Sequence, residues 1–470
     1  MTGRNALVTS ATTRTIRRVV ALLVIAALAA TCGATIPDRN LPEWSSPGLV
    51  GGGGWPFASE PLDPLDAYGA TYLPDSSVVL LRDGRARFIP FGAEDPVTVL
   101  REDPRVDVAL RTDRSWLRAG KVPGTLPVHR NMAARALLDL RLLTRPSGAS
   151  IASWYGAWRF VWPRDSAFAI AALAATGHAP EARRILRFLA RVQDQDGMWA
   201  ARYETDGSAV TDGRRFQLDS LGWVLWAGWF LTVHDPGTRN IPELWPMVRR
   251  AADRLSATLG ADGLPPPSSD YWERSPQAEE DPRRPTLGVV GAVLAGLRGA
   301  TAIARTRGAT EETHRWRMAA DRLSAAISRQ FAPYGYPRSP IKGGAMDAAV
   351  TFLAPPFAAY DPAVDTAVHT AAAKLRLPGG GVLPGERWAG NREVAWTPET
   401  AMFALTAAAS GQRAEAADWL DWLAGHRTTL GVLPEKVDQY GRPAAVAPLG
   451  WTASLVVLAL EALDGRLPIP

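Results

Sequence analysis

Carboxylates, arginines and tryptophans recur together in six short segments of this sequence. They are WPRD at 162–165, RRFQLD at 214–219, DYWERSP at 270–276, GGAMD at 343–347, ERWAGNREVAW at 386–396 and LPEKVDQYGRP at 433–443. A carboxylic acid facing a carboxylate across a cleft can protonate a leaving oxygen while the carboxylate activates a water, which is the chemistry of glycosidic cleavage with inversion. Glu273 and Glu435 are carboxyl groups in two of these segments, with unlike neighbours. Glu273 follows Tyr271 and Trp272, surroundings expected to raise its pKa by desolvation. Glu435 precedes Lys436 and Asp438 in a polar loop and is expected to stay ionised more readily. Taken singly, Asp165, Asp219 and Asp347 also suit helix N-caps, and Arg164 a surface ion pair. Recurrence at one structural position is what sets the group apart.

Composition narrows the partners. The chain has 18 Trp against 12 Phe and 9 Tyr; an indole face suits the C–H face of a sugar ring as well as helix packing. A net charge of +5 without a long Lys/Arg run argues against nucleic acid. The single cysteine rules out an intrachain disulfide or a CxxC pair, and the six histidines form no HExxH pattern, so neither a metal nor another cofactor is expected.

The polar clusters need elements to position them. After about residue 126 the sequence reads as roughly twelve helical segments of two kinds. One is amphipathic: in 181–193, Ile185, Phe188, Leu189 and Val192 recur at helical spacing while Arg183, Arg184, Arg187 and Arg191 face away. The other is apolar nearly all round, as in LDSLGWVLWAGWFL, TLGVVGAVLAGL and LGWTASLVVLALEAL, and must be buried. Half-buried helices alternating with buried ones predict an all-α fold, an (α/α)6 toroid of two concentric helix rings over 126–470. Parallel inner helices would gather the six polar segments at one mouth. Ahead of it, 37–125 reads as a Gly/Pro-rich linker and a small β-containing lead-in, with a hairpin turning at Asp83-Gly84.

Residues 1–36 read as an export signal or membrane anchor: Arg4, Arg14, Arg17 and Arg18 precede the apolar stretch 19–31 and Cys32. LAATC resembles a bacterial lipobox, which makes Cys32 a lipidation candidate. The expected location is extracytoplasmic, tethered to the cell membrane through a lipid or signal anchor, or else secreted.

At these residues the chain resembles glycoside hydrolase family 15, the glucoamylase, glucodextranase and trehalase-like enzymes, over roughly 130–465. The segment ending in WPRD resembles the family's substrate-gripping loop, which implies that Arg164 and Asp165, after Trp162, hold hydroxyls of the nonreducing-end glucosyl unit. RRFQLD is similar to the family's GRPQxD segment at Arg215, Gln217 and Asp219, with Phe216 in place of proline. DYWERSP resembles the WEE loop, putting Trp272 in the pocket and Glu273 at the general acid, with Arg274 where fungal members carry a second acid. LPEKVDQYGRPAAVAPLGWTASLVVLAL is similar to the family's terminal segment, putting Glu435 at the general base and Trp451 nearby. Trp396 fits the family's tryptophan in ERWAGNREVAW, Arg387 is the candidate for its substrate-binding arginine, and Asp347 joins the substrate-binding candidates through the GGAMD cluster. The resemblance implies an exo-acting hydrolase of α-linked glucosides in oligo- or polysaccharides, working by inversion without a cofactor. Three other readings remain open: a phosphorylase on a similar toroid, a lyase using Tyr271 or Tyr440 as base, and a noncatalytic cell-envelope glycan-binding protein.

Overall fold

A computed structural model describes residues 69–470 except Glu94; the export segment with Cys32, and the linker as far as residue 68, lie outside the described residues. The lead-in opens with a four-stranded antiparallel sheet, β1 (Thr71–Tyr72), β2 (Val79–Leu80), β3 (Arg85–Phe88) and β4 (Val97–Leu100), in sequential order. The β2–β3 turn contains Asp83-Gly84, with Gly84 at φ 85, a conformation that glycine adopts freely. Helix α1 (Pro104–Ala119) follows, started by Asp103, whose side chain accepts from the Arg105 N–H, and by Pro104 at the first helical position. This helix was not anticipated in the lead-in. It packs Val106 and Leu110 against Val78, Ala86 and Phe88, forming a small second core.

Twelve of the helical elements that follow form two rings. The inner ring comprises α3 (Pro163–Ala175), α5 (Leu218–His234), α7 (Leu287–Thr306), the 3-10 helix Ala348–Leu353, α10 (Thr397–Ala409) and α12 (Gly450–Asp464). Each packs on the next, and α12 closes the circle on α3. The outer ring comprises α2 (Pro127–Leu143), α4 (Ala179–Val192), α6 (Leu244–Thr258), α8 (Thr310–Gln330), α9 (Pro362–Leu375) and α11 (Arg413–Gly425). The alternation expected from sequence is the (α/α)6 toroid observed: α4 buries Ile185, Leu186, Phe188 and Leu189 and exposes Arg187 and Arg191, whereas α5 is buried from Leu218 to Thr232.

Small residues let the inner ring close. A Cβ on Gly222 of α5 would sit 2.2 Å from the Ala292 carbonyl oxygen of α7, so only glycine permits this approach. The bore is filled by aromatic rings: Phe168, Trp223, Trp226, Phe352 and Phe357 pack at centroid separations of 4.8–6.0 Å. The toroid is therefore a cup with a solid base, not a channel. Two features depart from a purely helical reading. GGAMD leads into a short 3-10 helix instead of an α-helix, and three two-residue strands, β5 (Ala395–Trp396), β6 (Lys436–Val437) and β7 (Pro443–Ala444), form a small sheet at the mouth.

Candidate active site

The inner elements begin at one end, and their leading loops are stitched to one another there. Trp162 precedes α3, with Pro163 at its first position and Arg164 and Asp165 in its first turn. Asp219 lies in the first turn of α5, behind Gln217. Asp347 caps the 3-10 helix by accepting from the Ala349 N–H at 2.7 Å. Thr397, the first residue of α10, donates its backbone N–H to the Glu435 carbonyl at 3.0 Å.

One loop holds both predicted catalytic carboxylates. Between the start of that loop and α3, Trp158 donates its indole N–H to Glu435 Oε1 at 3.1 Å, and Trp162 donates its own to Glu273 Oε1. Two residues after Trp162, Arg164 lies 3.1 Å from Asp165 Oδ2, 3.8 Å from Asp219 Oδ2 and 4.8 Å above the Trp451 ring. Arg164 Nε, Gln217 Oε1, Asp219 Oδ1 and the indole N–H groups of Trp272 and Trp451 are buried without a hydrogen-bond partner in the protein. Such groups are costly to leave unpaired, and together they offer donors and acceptors to a ligand rich in hydroxyls. Burial pushes Asp219 up to about 7 against the opposing pull of Arg164, and raises Asp165 in the same way.

Trp272, Trp388 and Trp396 form a wall of edge-on rings, each 5.0 Å from the next. Gly385 makes room for it, since a Cβ there would meet Trp272 at 2.5 Å. Behind the wall is Arg338, 3% exposed, with its guanidinium 3.8 Å from the Trp272 ring centroid. It pairs with Asp270 at 2.9 Å, Glu279 at 2.8 Å and Asp347 at 3.0 Å. Three carboxylates hold this buried charge, and it in turn fixes the loop that carries Glu273.

Several sequence expectations need correction. The two glutamates are placed the opposite way round in burial: the Glu273 side chain is 22% exposed and ion-paired with Arg214, whereas that of Glu435 is 10% exposed. Burial raises Glu435 above the usual carboxylate range, although Lys436, 3.3 Å away, and the Trp158 N–H both favour its ionised form. Neighbouring residue types indicated polarity, but the fold decided solvent access. Arg215 is exposed, and it is its neighbour Arg214 that reaches Glu273. Arg387, 64% exposed, pairs with Glu280 at 2.9 Å. Asp347 is wholly buried, with one oxygen accepting from Tyr271 at 2.5 Å and the other from Arg338, so it braces the site from behind. Trp396 pairs across β5–β6 with Lys436, whose ammonium lies 4.1 Å from its ring. Glu273 also adopts φ 56, a left-handed conformation rare outside glycine and costing about 1–3 kcal/mol, of the kind that collects at functional sites.

Sequence reasoning missed Trp158, Arg214, Arg338 and Glu399. Arg214 stood inside a segment already singled out, and Trp158 lies four residues ahead of another. Arg338 lies between prolines in YPRSP, away from any acidic residue, and its partners come from separate segments. Glu399 is in the first turn of α10, in an apolar helix where a buried carboxyl is unexpected. Among the described residues, no group of three or more His, Cys, Asp or Glu is arranged to share a metal ion.

Comparison with known proteins agrees with this architecture. An uncharacterized glycosyl hydrolase of Methanocaldococcus jannaschii is 27% identical over 210 residues, which is 43% of this chain and 31% of that protein's length. Among solved structures, a wild-type glycosidase superposes with a TM-score of 0.60 at 21% identity, covering 72% of this chain and 97% of its own. A bacterial glucoamylase complexed with acarbose gives 0.58 at 17% identity, covering 79% and 63%. Glucoamylase from Saccharomycopsis fibuligera gives 0.54 at 13%, covering 68% and 89%. At these identities the structural matches establish the fold alone. The sequence profile of Glycosyl hydrolases family 15 matches residues 127–387, from the start of α2 to the loop before β5. The match spans more than half of the chain and includes Glu273, though not Glu435, and the chain belongs to that family.

Proposed function

We propose that the protein is an inverting, exo-acting glycoside hydrolase that cleaves α-linked glucosides, with Glu273 as general acid and Glu435 as general base. The observation that carries this reading is the shared scaffold: Trp158 and Trp162, on one loop, each donate an indole N–H to one of the two carboxylates. Arg164, Asp165, Gln217 and Asp219 would take the hydroxyls of the terminal sugar, with Trp272 and Trp451 supplying N–H donors and flat faces. Trp396, Arg215 and Arg387, which are half-buried or exposed, would contact units beyond the scissile bond. The solid aromatic base supports exo action, because a cup admits a chain end and not a passing chain.

Glu273 must be neutral to protonate the leaving oxygen, yet the Arg214 guanidinium favours its carboxylate form. On substrate entry Arg214 withdraws to Asp212, already 3.2 Å from its Nε, and the leaving oxygen takes its place. Glu435 draws the proton from a water on the opposite face of the ring, and its burial makes it a stronger base than an exposed glutamate. Incubation of the purified protein with α-glucans, dextran and trehalose tests the reading. Release of glucose is expected from at least one of them, and release from none would refute it.

We also propose that the protein is exported and held at the membrane through residues 1–36. Recovery from the membrane fraction of its source cells is the expected result, and a cytosolic location would refute it. Loss of membrane retention in Cys32→Ser would identify lipid attachment as the tether.

A further inference from the structure

Glu399 is a carboxyl group that none of the roles above uses. It lies in the first turn of α10, is 2% exposed, and its Oε2 has no hydrogen-bond partner in the protein. The start of α10 is fixed firmly: Thr397 Oγ1 donates to the Pro434 carbonyl at 2.5 Å and shares a 2.8 Å hydrogen bond with Thr452. The charge of Glu399 couples to groups on several other segments of the inner ring. Glu435 and Asp347 belong to the adjoining inner-ring segments, but Arg164 is on α3 and Tyr271 leads toward α7, neither of them a neighbour of α10 in the ring. Glu399 occupies the first turn of its inner-ring helix, as Asp165 and Asp219 do in theirs, at the end where the candidate site lies. At this end of α12 the nearby residues are the neutral Trp451 and Thr452; its carboxylates, Glu461 and Asp464, lie at the far end.

We infer that Glu399 is a specificity-determining residue that contacts a hydroxyl of the sugar at the blind end of the pocket. This inference rests on the hydrolase reading above. Burial pushes Glu399 up to about 8, with Glu435 and Asp347 adding to the rise and Arg164 opposing it. At neutral pH it is therefore a carboxylic acid, able to donate one hydrogen bond and accept others. A neutral carboxylic acid both donates and accepts, so it lets a hydroxyl be bound in both of its capacities. Once ionised, Glu399 only accepts.

The experiment is glucose binding by the full protein, followed by tryptophan fluorescence and calorimetry at pH 6.5 and 9.0, alongside thermal unfolding. Wild type should bind glucose about tenfold more weakly at pH 9.0, since roughly nine-tenths of a group titrating near 8 is then ionised. Glu399→Gln keeps a neutral donor and should bind within a few-fold of wild type at pH 6.5, without the extra tenfold loss. Glu399→Leu should lose affinity at both pH values while remaining folded. Titration of Asp219 is common to all three proteins and cancels in the comparison. Equal pH dependence in wild type and Glu399→Gln, or unchanged glucose affinity in folded Glu399→Leu, overturns the inference and leaves the hydrolase reading standing. Failure of wild type to bind glucose or release it from any substrate overturns both.

Discussion

Trp158 donates its indole N–H to Glu435 across 277 positions of sequence, and the same loop delivers Trp162 to Glu273. The candidate base and acid are therefore set by one short segment, although they belong to distant parts of the chain. The indole on Glu435 stabilises its ionised form. Trp158→Phe should raise the pKa of Glu435 further, moving the acid limb of kcat/KM to higher pH with little change in fold. Lys436→Met should shift the same limb in the same direction, since it also removes a group that favours the carboxylate. A pH profile coincident with wild type in both variants would show that Glu435 does not set that limb.

Glu273→Gln and Glu435→Gln should each lower turnover by at least about 100-fold, the lower range for removal of a general acid or base. Neither substitution changes a core contact, so circular dichroism and thermal unfolding should be near those of wild type. Near-normal turnover in either folded variant would remove that residue from the mechanism.

The Arg214–Glu273 ion pair makes a separate prediction for the alkaline side. Arg214→Ala takes a cation away from the acid, which raises the acid's pKa and extends activity to higher pH. The measurement is again kcat/KM against pH, where an alkaline limb that stays in place or moves down would contradict the assignment.

Inversion at an α-linked substrate must release the β-anomer first. Proton NMR within the first minutes of turnover, before mutarotation, should show β-glucose in excess. Early α-glucose would establish a double displacement instead.

Buried acids also make stability depend on pH in a defined direction. Burial raises Asp347 and Asp139, a buried residue of α2 beside Arg135, to about 6, Asp219 to about 7 and Glu399 to about 8. The native state thus holds protons that the unfolded chain releases near pH 4, and the stability this confers is full below that pH and is lost as pH rises through 6–8. The thermal midpoint should fall between pH 5 and pH 8.5, and Glu399→Gln, which has no proton to lose, should fall less steeply. A flat profile would mean these carboxyls are not held as neutral acids.

Much of the architecture is legible in local sequence because helix burial is a periodic property. In α4 the alternation of Ile185, Phe188 and Leu189 with Arg187 and Arg191 specifies one buried face, and in α5 the unbroken run from Leu218 specifies two. Repetition of the two kinds determines the double ring, and the clusters WPRD, RRFQLD, DYWERSP and LPEKVDQYGRP mark the ends of inner helices as the place for chemistry. What neighbours in sequence could not convey is which long-range partner each polar group would meet. Lys436 and Asp438 made Glu435 look solvated, yet closure of the ring buried it. Arg338 had no acidic neighbour, yet the fold gave it three. Arg214 and Arg215 are alike in sequence, and only the course of their loop sends one to Glu273. Desolvation and ion pairing depend on distances across the whole ring, and those distances exist only once α12 has closed against α3.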